Sequence, residues 1–475
     1  MRVFHGGAES ANEEGAASAL RRLGEALQGL SQRALAAEDF ERFEREVHAL
    51  FIAAEREVLA EELARLDVDL PHVDIGGVCH HRVLRSTETY LSAVGPLTVA
   101  RTLYRAGRAP AVVPLELRAG IVEGQWTALA ARQAAYLVAH LTPQETEGVL
   151  AKLGNMRPSK SSLDRLPKRL SARWETERET FEASLREALV VPEGAVTAAA
   201  SLDGVLVPMK DGERAAKREG ARAEGKETRG PAGYREVGCA TLSFYDADGE
   251  RLGTVRFARM PEAKKVTLKS TLAAEVHAAL AQRPTLTVVK VADGAPDNWT
   301  FLKTLAPEGP EVVDFFHAAE QLQKAFDAAY GEHTPAAQAQ GQKYRHLLRD
   351  DEDGVEKVIR ALAYLKGKHP RRTSIAQVLG YFRRHRHRMP YAVLRARALP
   401  IGSGVVEAAC KTLESQRLKR SGMRWRHPGG QAILTLRALV QSERFGHGWA
   451  MLSATYKTEV VVPDNVTPFP RRRAA

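Results

Sequence analysis

Apolar positions near the start of the chain recur with the period of an α-helix. They are spaced by three or four residues, first from Leu20 to Leu30 and then from Phe40 to Phe51. Such spacing places apolar side chains along one face of a helix. The pattern predicts two long amphipathic helices, and we assign residues 1–75 as a helical N-terminal region used for packing or oligomerisation.

After the first two helices, the pattern is β-prone and then becomes helical again. Two runs rich in β-branched and aromatic residues lie on either side of Gly95-Pro96, a turn signal, so residues 81–105 are predicted to form a β-hairpin. Helical spacing follows over residues 120–175. We assign residues 76–190 as a β-hairpin plus a helical DNA-binding region.

A helix-turn-helix-like segment is predicted at about residues 142–172. Thr142 followed by Pro143 is typical of a helix start, Gly154 is expected to end that helix, and a second, basic helix begins near Ser159. The second helix of such a pair can enter the major groove of DNA. Many helical hairpins share this pattern, so a purely structural pair is the alternative. The side chains expected to contact DNA are Lys160, Arg165, Lys168 and Arg169.

From residue 191 onward, predicted strands and helices alternate. AVTAAASLDGVLVPM is a predicted strand, YREVGCATLSFYDADGERLGTVRFARM a predicted hairpin, and TLTVVKVADGA and EVVDFF are strands separated by helices. This order is that of an α/β ribonuclease-H-like catalytic core, which we assign to residues 191–334 and 401–450. Residues 335–400 are a predicted all-helical basic insertion, and residues 451–475 a predicted extended or disordered basic tail.

Acidic residues follow two of the predicted strands. Asp203 is placed at the end of the first strand, and Asp293 directly follows the apolar run at residues 286–292. Functional sites of open α/β sheets gather at the carboxyl ends of strands, where loops begin. A glycine follows each Asp, so each pair is open to a second interpretation as a simple turn.

A third acid lies in the segment GSGVVEAACKTL, which is predicted to begin a helix. Glu407, Lys411 and Glu414 share the polar side of this helix. An ordinary Glu407–Lys411 pair on a wet surface is one interpretation. In the other, Glu407 belongs to an active site, and Glu414, about 20° around the helix, is the alternative acid. The opposite, apolar side consists of Val405, Val406, Ala409 and Leu413.

Carboxylates that converge from two strands and a helix would form a site of hard oxygen donors. Mg²⁺ in proteins takes a few carboxylates together with waters and phosphate oxygens of the substrate. Two such ions, about 3.5–4 Å apart, promote in-line displacement at phosphorus. The expected cofactor is a pair of Mg²⁺ ions, with Mn²⁺ as a substitute.

The charge of the chain favours a polyanionic partner. Its 475 residues predict about two to four domains. A net charge of +11 and a pI of about 9.5 favour nucleic acid or an acidic membrane surface. From Arg360 to Arg444 there are 19 Lys and Arg residues and three acids, so this segment carries +16 and the rest of the chain −5. Double-stranded DNA is the expected partner.

The cysteines Cys79, Cys239 and Cys410 are far apart and predict no disulfide framework, which is typical of a reducing cytoplasm. Cys79-His80-His81 lacks a second ligand pair at zinc-finger spacing, so no metal is expected there. The start of the chain has no apolar signal region, and no window is long and apolar enough to span a membrane. We expect a soluble cytoplasmic protein that associates with the nucleoid when bound to DNA.

Several segments resemble a known family. IGSGVVEAACKTL, QRLKRSGMRW and GGQAILTLRALVQSERF look like the C-terminal signature of DDE-type bacterial insertion-sequence transposases of the ISKra group. SLDGVLVPM, VADGAPDNW and VVDFFHAAEQL are similar to core motifs of the same family. The similarity covers roughly residues 80–450. Relatives often have paired cysteines after the hairpin, whereas LYRAGRAPAVVPLE has none, so a zinc ribbon is not expected there.

Position by position, the resemblance implies that Asp203, Asp293 and Glu407 are the catalytic, metal-binding triad. His317 matches a recurrent position and is expected either to support the site or to be a structural histidine. Basic residues after Glu407 have a spacing suited to phosphate contacts, and Trp425 either stacks on a base or packs in the core. The expected DNA-contacting residues are Lys411, Arg417, Lys419, Arg420, Arg424 and Arg426.

The resemblance and the charge distribution together predict a DNA transposase of a mobile insertion sequence. It would cleave the element ends by metal-dependent phosphodiester hydrolysis and join the 3′-OH to target DNA, as a homodimer or higher assembly on DNA. Two alternatives stay open: a catalytically silent, domesticated DNA-binding protein, and a nuclease of the same fold without strand transfer. The presence of all three acids argues against the first alternative.

Overall fold

A computed structural model of the chain describes residues 9–32, 40–210, 212–226 and 233–463 and shows a mixed α/β architecture. The helices are α1 Glu9–Ser31, α2 Phe40–Arg65, α3 Pro114–Ala119, α4 Ala128–His140, α5 Pro143–Leu153, α6 Lys160–Thr176, α7 Arg178–Glu187, α8 Gly212–Ala223, α9 Val266–Gln282, α10 Pro296–Leu305, α11 Phe315–Tyr330, α12 Pro335–Asp350, α13 Gly354–Lys368, α14 Thr373–His385, α15 Tyr391–Ala396, α16 Gly404–Ala409, α17 Gln416–Leu418, α18 His427–Gln441 and α19 Phe445–Ala454. The strands are β1 His72–Ile75, β2 Val78–Ser92, β3 Gly95–Arg105, β4 Thr197–Pro208, β5 Tyr234–Tyr245, β6 Arg251–Arg259, β7 Thr287–Ala292, β8 Glu311–Val313 and β9 Val460–Val461. Short 3₁₀ turns lie at Ala263–Lys265 and Arg386–Arg388, and a π-helical segment lies at Cys410–Ser415.

The chain divides into two units. The first comprises Met1–Arg173 together with Gly446–Ala475, and the second comprises Trp174–Phe445. The predicted helical region, hairpin and helix-turn-helix-like segment lie in the first unit up to Arg173. α7, which the sequence analysis placed in the region 76–190, packs with α9 in the second unit.

The first unit contains an antiparallel sheet with the strand order β3-β2-β1-β9. β2 and β3 form the predicted hairpin and turn at Gly95, whose φ of +114° favours glycine. Arg56 of α2 donates to the Val94 carbonyl at 2.8 Å beside this turn. Leu63 of α2 packs in one apolar cluster with Leu97 of the hairpin. The helical N-terminal residues thus share a core with the hairpin.

The predicted tail contains a helix end and a strand. α19 extends past residue 451, and β9 pairs with β1 as the fourth strand of the first sheet. The Tyr456 hydroxyl donates to the Glu123 carboxylate at 2.7 Å, and the Arg173 guanidinium lies 4.0 Å from the centre of the Tyr456 ring. The prediction of an extended or disordered tail is therefore wrong for residues 451–463. Residues 464–475 lie outside the described residues.

The second unit contains a five-stranded sheet with the order β6-β5-β4-β7-β8. β4 pairs antiparallel with β5 and parallel with β7, and β7 pairs parallel with β8. β4 is Ala-rich and buried from Thr197 to Leu202, and β7 is an apolar run buried from Val288 to Ala292. Strands that are buried on both faces have such near-continuous apolar sequences.

Helices α12–α15 form the predicted all-helical insertion, and their apolar sides join the core of the sheet. Phe382 is fully buried in this shared cluster. The hydroxyl of Tyr391 donates to the Val313 carbonyl of β8 at 2.8 Å. Arg388 is 6% exposed and pairs with Glu311 of β8 at 2.7 Å. The insertion is therefore an integral part of the second unit.

The shared core predicts unequal stability costs within the insertion. Phe382→Ala removes a 0% exposed ring and should lower the free energy of unfolding by about 3–5 kcal/mol. Tyr364→Ala, at a 69% exposed residue of α13, should change it by less than about 0.5 kcal/mol. Urea unfolding measures both values. Equally small effects would show that the insertion does not share the core of the sheet.

Candidate active site

Asp203 and Asp293 are brought side by side by the parallel pairing of β4 and β7. The last paired residues are Leu202 and Ala292, and each Asp follows its paired residue directly. Matching positions of neighbouring parallel strands place their side chains on the same face of the sheet. The pKa of Asp203 is raised, mainly by burial and further by the negative charge of Asp293. The two acids therefore share one edge of the sheet.

Asp203 lies inside β4 and not at its end. β4 continues to Pro208 because β5 pairs along it, with Asp203 opposite Cys239. Gly204 is therefore a strand residue, and a Cβ at this position would clash with the Glu236 side chain. The prediction of a turn at Gly204 is therefore wrong. β7 ends at Ala292, beside Leu202, whereas β4 continues past Asp203 to Pro208. The backbone N–H of Gly204 donates to Oδ1 of Asp203 at 2.7 Å.

Asp293 is held by the first turn of α10. Its Oδ1 accepts a backbone N–H at 3.1 Å and the side-chain amide of Asn298 at 3.2 Å. The Trp299 indole N–H donates to the Asp293 carbonyl at 2.7 Å. Asp297, the other acid of this segment, instead pairs with Lys269 at 2.6 Å, and its side chain is 64% exposed. Asn298 therefore positions Asp293, whereas Asp297 pairs with a lysine of α9.

Glu407 lies in the first turn of α16 on the exposed side of the helix. The Ser403 hydroxyl donates to Oε1 of Glu407 at 3.1 Å. Burial raises the pKa of Glu407, and the charges of Asp314 and Asp203 raise it further. Over the residues that the structure describes, no ion pair joins Glu407 to Lys411. The electrostatic neighbours of Glu407 are thus the acids of the sheet edge.

A fourth acid, Asp314, extends the row of acids across β8. The parallel pairing of β7 and β8 ends directly before Asp293 and Asp314. Asp314 is 1% exposed and accepts the backbone N–H of His317 at 2.5 Å, which caps α11, and the backbone N–H of Ser403. Sequence reasoning missed this residue, although it follows its strand as Asp293 does. His317 contributes a backbone contact to the cap, and its side chain is half-buried.

Helix α14 of the insertion packs against the turn after Asp293. A Cβ on Gly294 would lie 2.6 Å from the Tyr381 ring and 3.4 Å from Nε2 of His385, so this glycine permits close approach. The Tyr381 hydroxyl and Nε2 of His385 are buried without a hydrogen-bond partner. Burial and the neighbouring acids Asp293 and Asp314 raise the pKa of Tyr381. Burial lowers the pKa of His385 to about 4.

The π-helical segment Cys410–Ser415 changes the direction of side chains after α16. A π-helix closes i→i+5 hydrogen bonds, so later residues rotate away from their α-helical positions. The sequence predicted that Glu414 shares the polar side with Glu407, and this prediction is wrong, because Glu414 is 0% exposed. Arg437 of α18 holds the segment by donating to the Leu413 carbonyl at 2.9 Å and to its neighbour. On the predicted apolar side, Val406, Ala409 and Leu413 are buried in one cluster, and Val405 is half-buried.

Most basic residues that follow Glu407 are accessible. Arg420 is half-buried and donates to the Gln416 carbonyl at 3.0 Å. Arg417, which was expected to contact DNA, is instead 1% exposed. Its guanidinium lies 5.3 Å from the centre of the Trp425 ring. Trp425 is half-buried in the same apolar cluster as α16, which favours its core interpretation. The exposed members are Lys411, Lys419, Arg424 and Arg426.

In the first unit, α5 and α6 form the predicted pair of helices. Thr142 and Glu145 make a capping box, in which the Thr142 hydroxyl accepts at 3.1 Å and the Glu145 carboxylate accepts at 2.7 Å. Lys168 pairs with Asp164 on its own helix. The exposed basic residues of α6 are Lys160, Arg165, Lys168 and Arg169.

The predicted triad consists of the hard oxygen donors that Mg²⁺ prefers. Within the described parts of the chain, the carboxylates of Asp203, Asp293 and Glu407 do not all lie within 4.8 Å of one another. The chemistry of these donors is therefore that of a Mg²⁺ site, while the three carboxylates are spaced more widely than the grouped ligands of one ion. A different group that could hold a metal ion is Cys239, Cys410 and Glu414, all buried.

No protein-family model matches the chain, and no curated protein matches it. No helix in the described part of the chain has both the length and the apolar character needed to cross a membrane.

Because Asp314 accepts two backbone hydrogen bonds, we expect the stability of the protein to depend strongly on this side chain. Asp314→Ala removes the cap of α11 and the acceptor for Ser403, so the free energy of unfolding should fall by about 2–4 kcal/mol. Asp314→Asn retains an acceptor oxygen and should lose less than about half of that. Urea unfolding compares the two. An Ala variant as stable as the Asn variant would contradict this assignment.

Proposed function

We propose that the chain is a DDE-type DNA transposase whose second unit is a ribonuclease-H-like catalytic core. The sheet order β6-β5-β4-β7-β8, with two antiparallel and two parallel pairings, supports this core. The observation on which the proposal depends is the adjacency of Asp203 and Asp293, with the charge of Glu407 close enough to interact with Asp203. The resemblance of the C-terminal segments to insertion-sequence transposases agrees with it.

The proposed site would hold two Mg²⁺ ions, or Mn²⁺ in their place, between Asp203, Asp293 and Glu407. Bound Mg²⁺ would activate the attacking oxygen and stabilise the leaving oxygen. The protein keeps the ligands in position: Asn298 orients Asp293, and Ser403 orients Glu407. Such preorganised ligands reduce the cost of assembling the site when DNA binds.

The proposed reaction has two steps at phosphorus. In the first, a water oxygen bonds to phosphorus at the element end, and the bond from phosphorus to the 3′ oxygen breaks, leaving a 3′-OH after proton uptake. In the second, that 3′ oxygen bonds to a phosphorus of the target strand, and the target's own 3′ oxygen leaves. The second step conserves the number of phosphodiester bonds, so it needs no external energy source.

Double-stranded DNA is the proposed partner, bound by exposed basic residues of each unit. Lys and Arg side chains fix a protein on DNA mainly through phosphate contacts. Transposition requires two element ends to be held together, so we propose a homodimer or higher assembly on DNA. The exposed residues in these positions are Lys160, Arg165, Lys168, Arg169, Lys411, Lys419, Arg424 and Arg426.

Two neighbouring acids of the α10 segment provide a matched test. Asp293→Asn should lower Mg²⁺-dependent nicking of DNA at least about 100-fold, because it weakens metal binding beside the scissile bond. Asp297→Asn, at an exposed acid paired with Lys269, should nick at the wild-type rate. The substrate is end-labelled DNA that contains the sequences flanking the coding region. DNA affinity should stay within about twofold for both variants.

The same assay separates the proposed function from its alternatives. Wild-type protein that joins the labelled 3′ end to a target plasmid supports a transposase. Nicking without joined products would indicate a nuclease of the same fold. Tight DNA binding with no Mg²⁺-dependent nicking would indicate a silent DNA-binding protein. Unchanged nicking by Asp293→Asn would remove Asp293 from the active site.

A further inference from the structure

A buried group of two thiols and a carboxyl lies behind the acids of the sheet edge. Cys239 is on β5, directly opposite Asp203, and Cys410 and Glu414 belong to the π-helical segment. The two Sγ atoms and a carboxylate oxygen lie within 4.8 Å of one another. The three residues are 0%, 5% and 0% exposed. The group thus joins the sheet to the segment that follows Glu407.

Glu414 has no hydrogen-bond partner at either carboxylate oxygen. Buried polar atoms almost always have partners, because an unsatisfied one has lost its water without compensation. The nearby Arg437 guanidinium donates to backbone carbonyls of the π-helical segment. The surrounding cluster is apolar and includes Val237 and Leu413. A cation bound between the carboxylate and the thiols would satisfy Glu414.

We propose that Cys239, Cys410 and Glu414 bind one Zn²⁺ ion, separate from the Mg²⁺ pair. Thiolates are soft ligands that select Zn²⁺, whereas Mg²⁺ takes oxygen donors. Oδ2 of Asp203 lies 3.6 Å from Sγ of Cys410. The proposed Zn²⁺ site therefore lies directly behind Asp203, which stays a ligand of the proposed Mg²⁺ pair.

The Zn²⁺ ion would link β5 to the π-helical segment of the second unit. Cys239 belongs to the sheet, and Cys410 follows Glu407 by three residues on the same helical segment. A buried zinc site with thiolate ligands is structural, and its binding free energy contributes to folding. The ion would therefore fix the position of Glu407 relative to Asp203. Zinc binding does not require the proposed transposase function.

Metal analysis of the purified full-length chain tests this proposal directly. Protein expressed with added zinc and purified under reducing conditions should contain about one zinc per chain after dialysis against EDTA, because a buried site exchanges slowly. Cobalt-grown protein should show thiolate-to-cobalt charge-transfer absorption. Wild-type protein without zinc under these conditions would overturn the proposal. So would peptide mapping that finds a Cys239–Cys410 disulfide in the purified protein.

Three variants locate the ion and separate this proposal from the first. Cys410→Ser should lower zinc to less than about 0.1 per chain, whereas Cys79→Ser, at an exposed cysteine, should retain it. Asp293→Asn should retain zinc while losing Mg²⁺-dependent nicking, so the two proposals fail independently. If Cys410→Ser does not fold, the zinc content and cobalt spectrum of the wild-type protein still decide the question. Full zinc content in a folded Cys410→Ser variant would contradict the ligand assignment.

Discussion

The parallel pairing of β4 with β7 is the constraint on which the rest of the second unit depends. Because it ends at Leu202 and Ala292, and β8 pairs with β7 up to Val313, an aspartate directly follows the last parallel-paired residue of each of the three strands. A slip of one residue would turn every side chain of a strand to the opposite face. The apolar core shared with the insertion opposes such a slip, and Gly294 lets α14 pack directly beside the acids.

The row of acids has an electrostatic cost. Burial and neighbouring carboxylates raise the pKa of Asp203 and of Glu407. The Lys265 ammonium lies 3.5 Å from the backbone carbonyl oxygen of Asp203, but its ion pair is with Glu236. Other cations of the unit are used in pairs with acids of the fold. These include Arg388, Arg395 and Arg444. Divalent cations bound at the sheet edge would offset the repulsion between the acids.

Features that depend on local spacing could be predicted from the sequence, and features that depend on tertiary contacts could not. Asp293 follows a continuous apolar strand, and the helices of the insertion have helical periodicity, so both features could be predicted from the sequence. Asp314 was missed because EVVDFF was predicted as one strand with Asp314 inside it, whereas β8 ends at Val313. The burial of Glu414 follows from a π-helical turn held by Arg437, and that of Arg417 from packing on an aromatic ring. None of these contacts is visible in the spacing of residues.

We propose that the sheet edge at Asp203 and Asp293 binds two divalent ions. Anomalous diffraction from crystals of the full-length protein bound to DNA and soaked in Mn²⁺ measures this directly. We expect two Mn²⁺ peaks about 3.5–4 Å apart, in contact with Asp203, Asp293 and Glu407. Absence of Mn²⁺ from Asp203 and Asp293, with DNA present in the crystal, would contradict it.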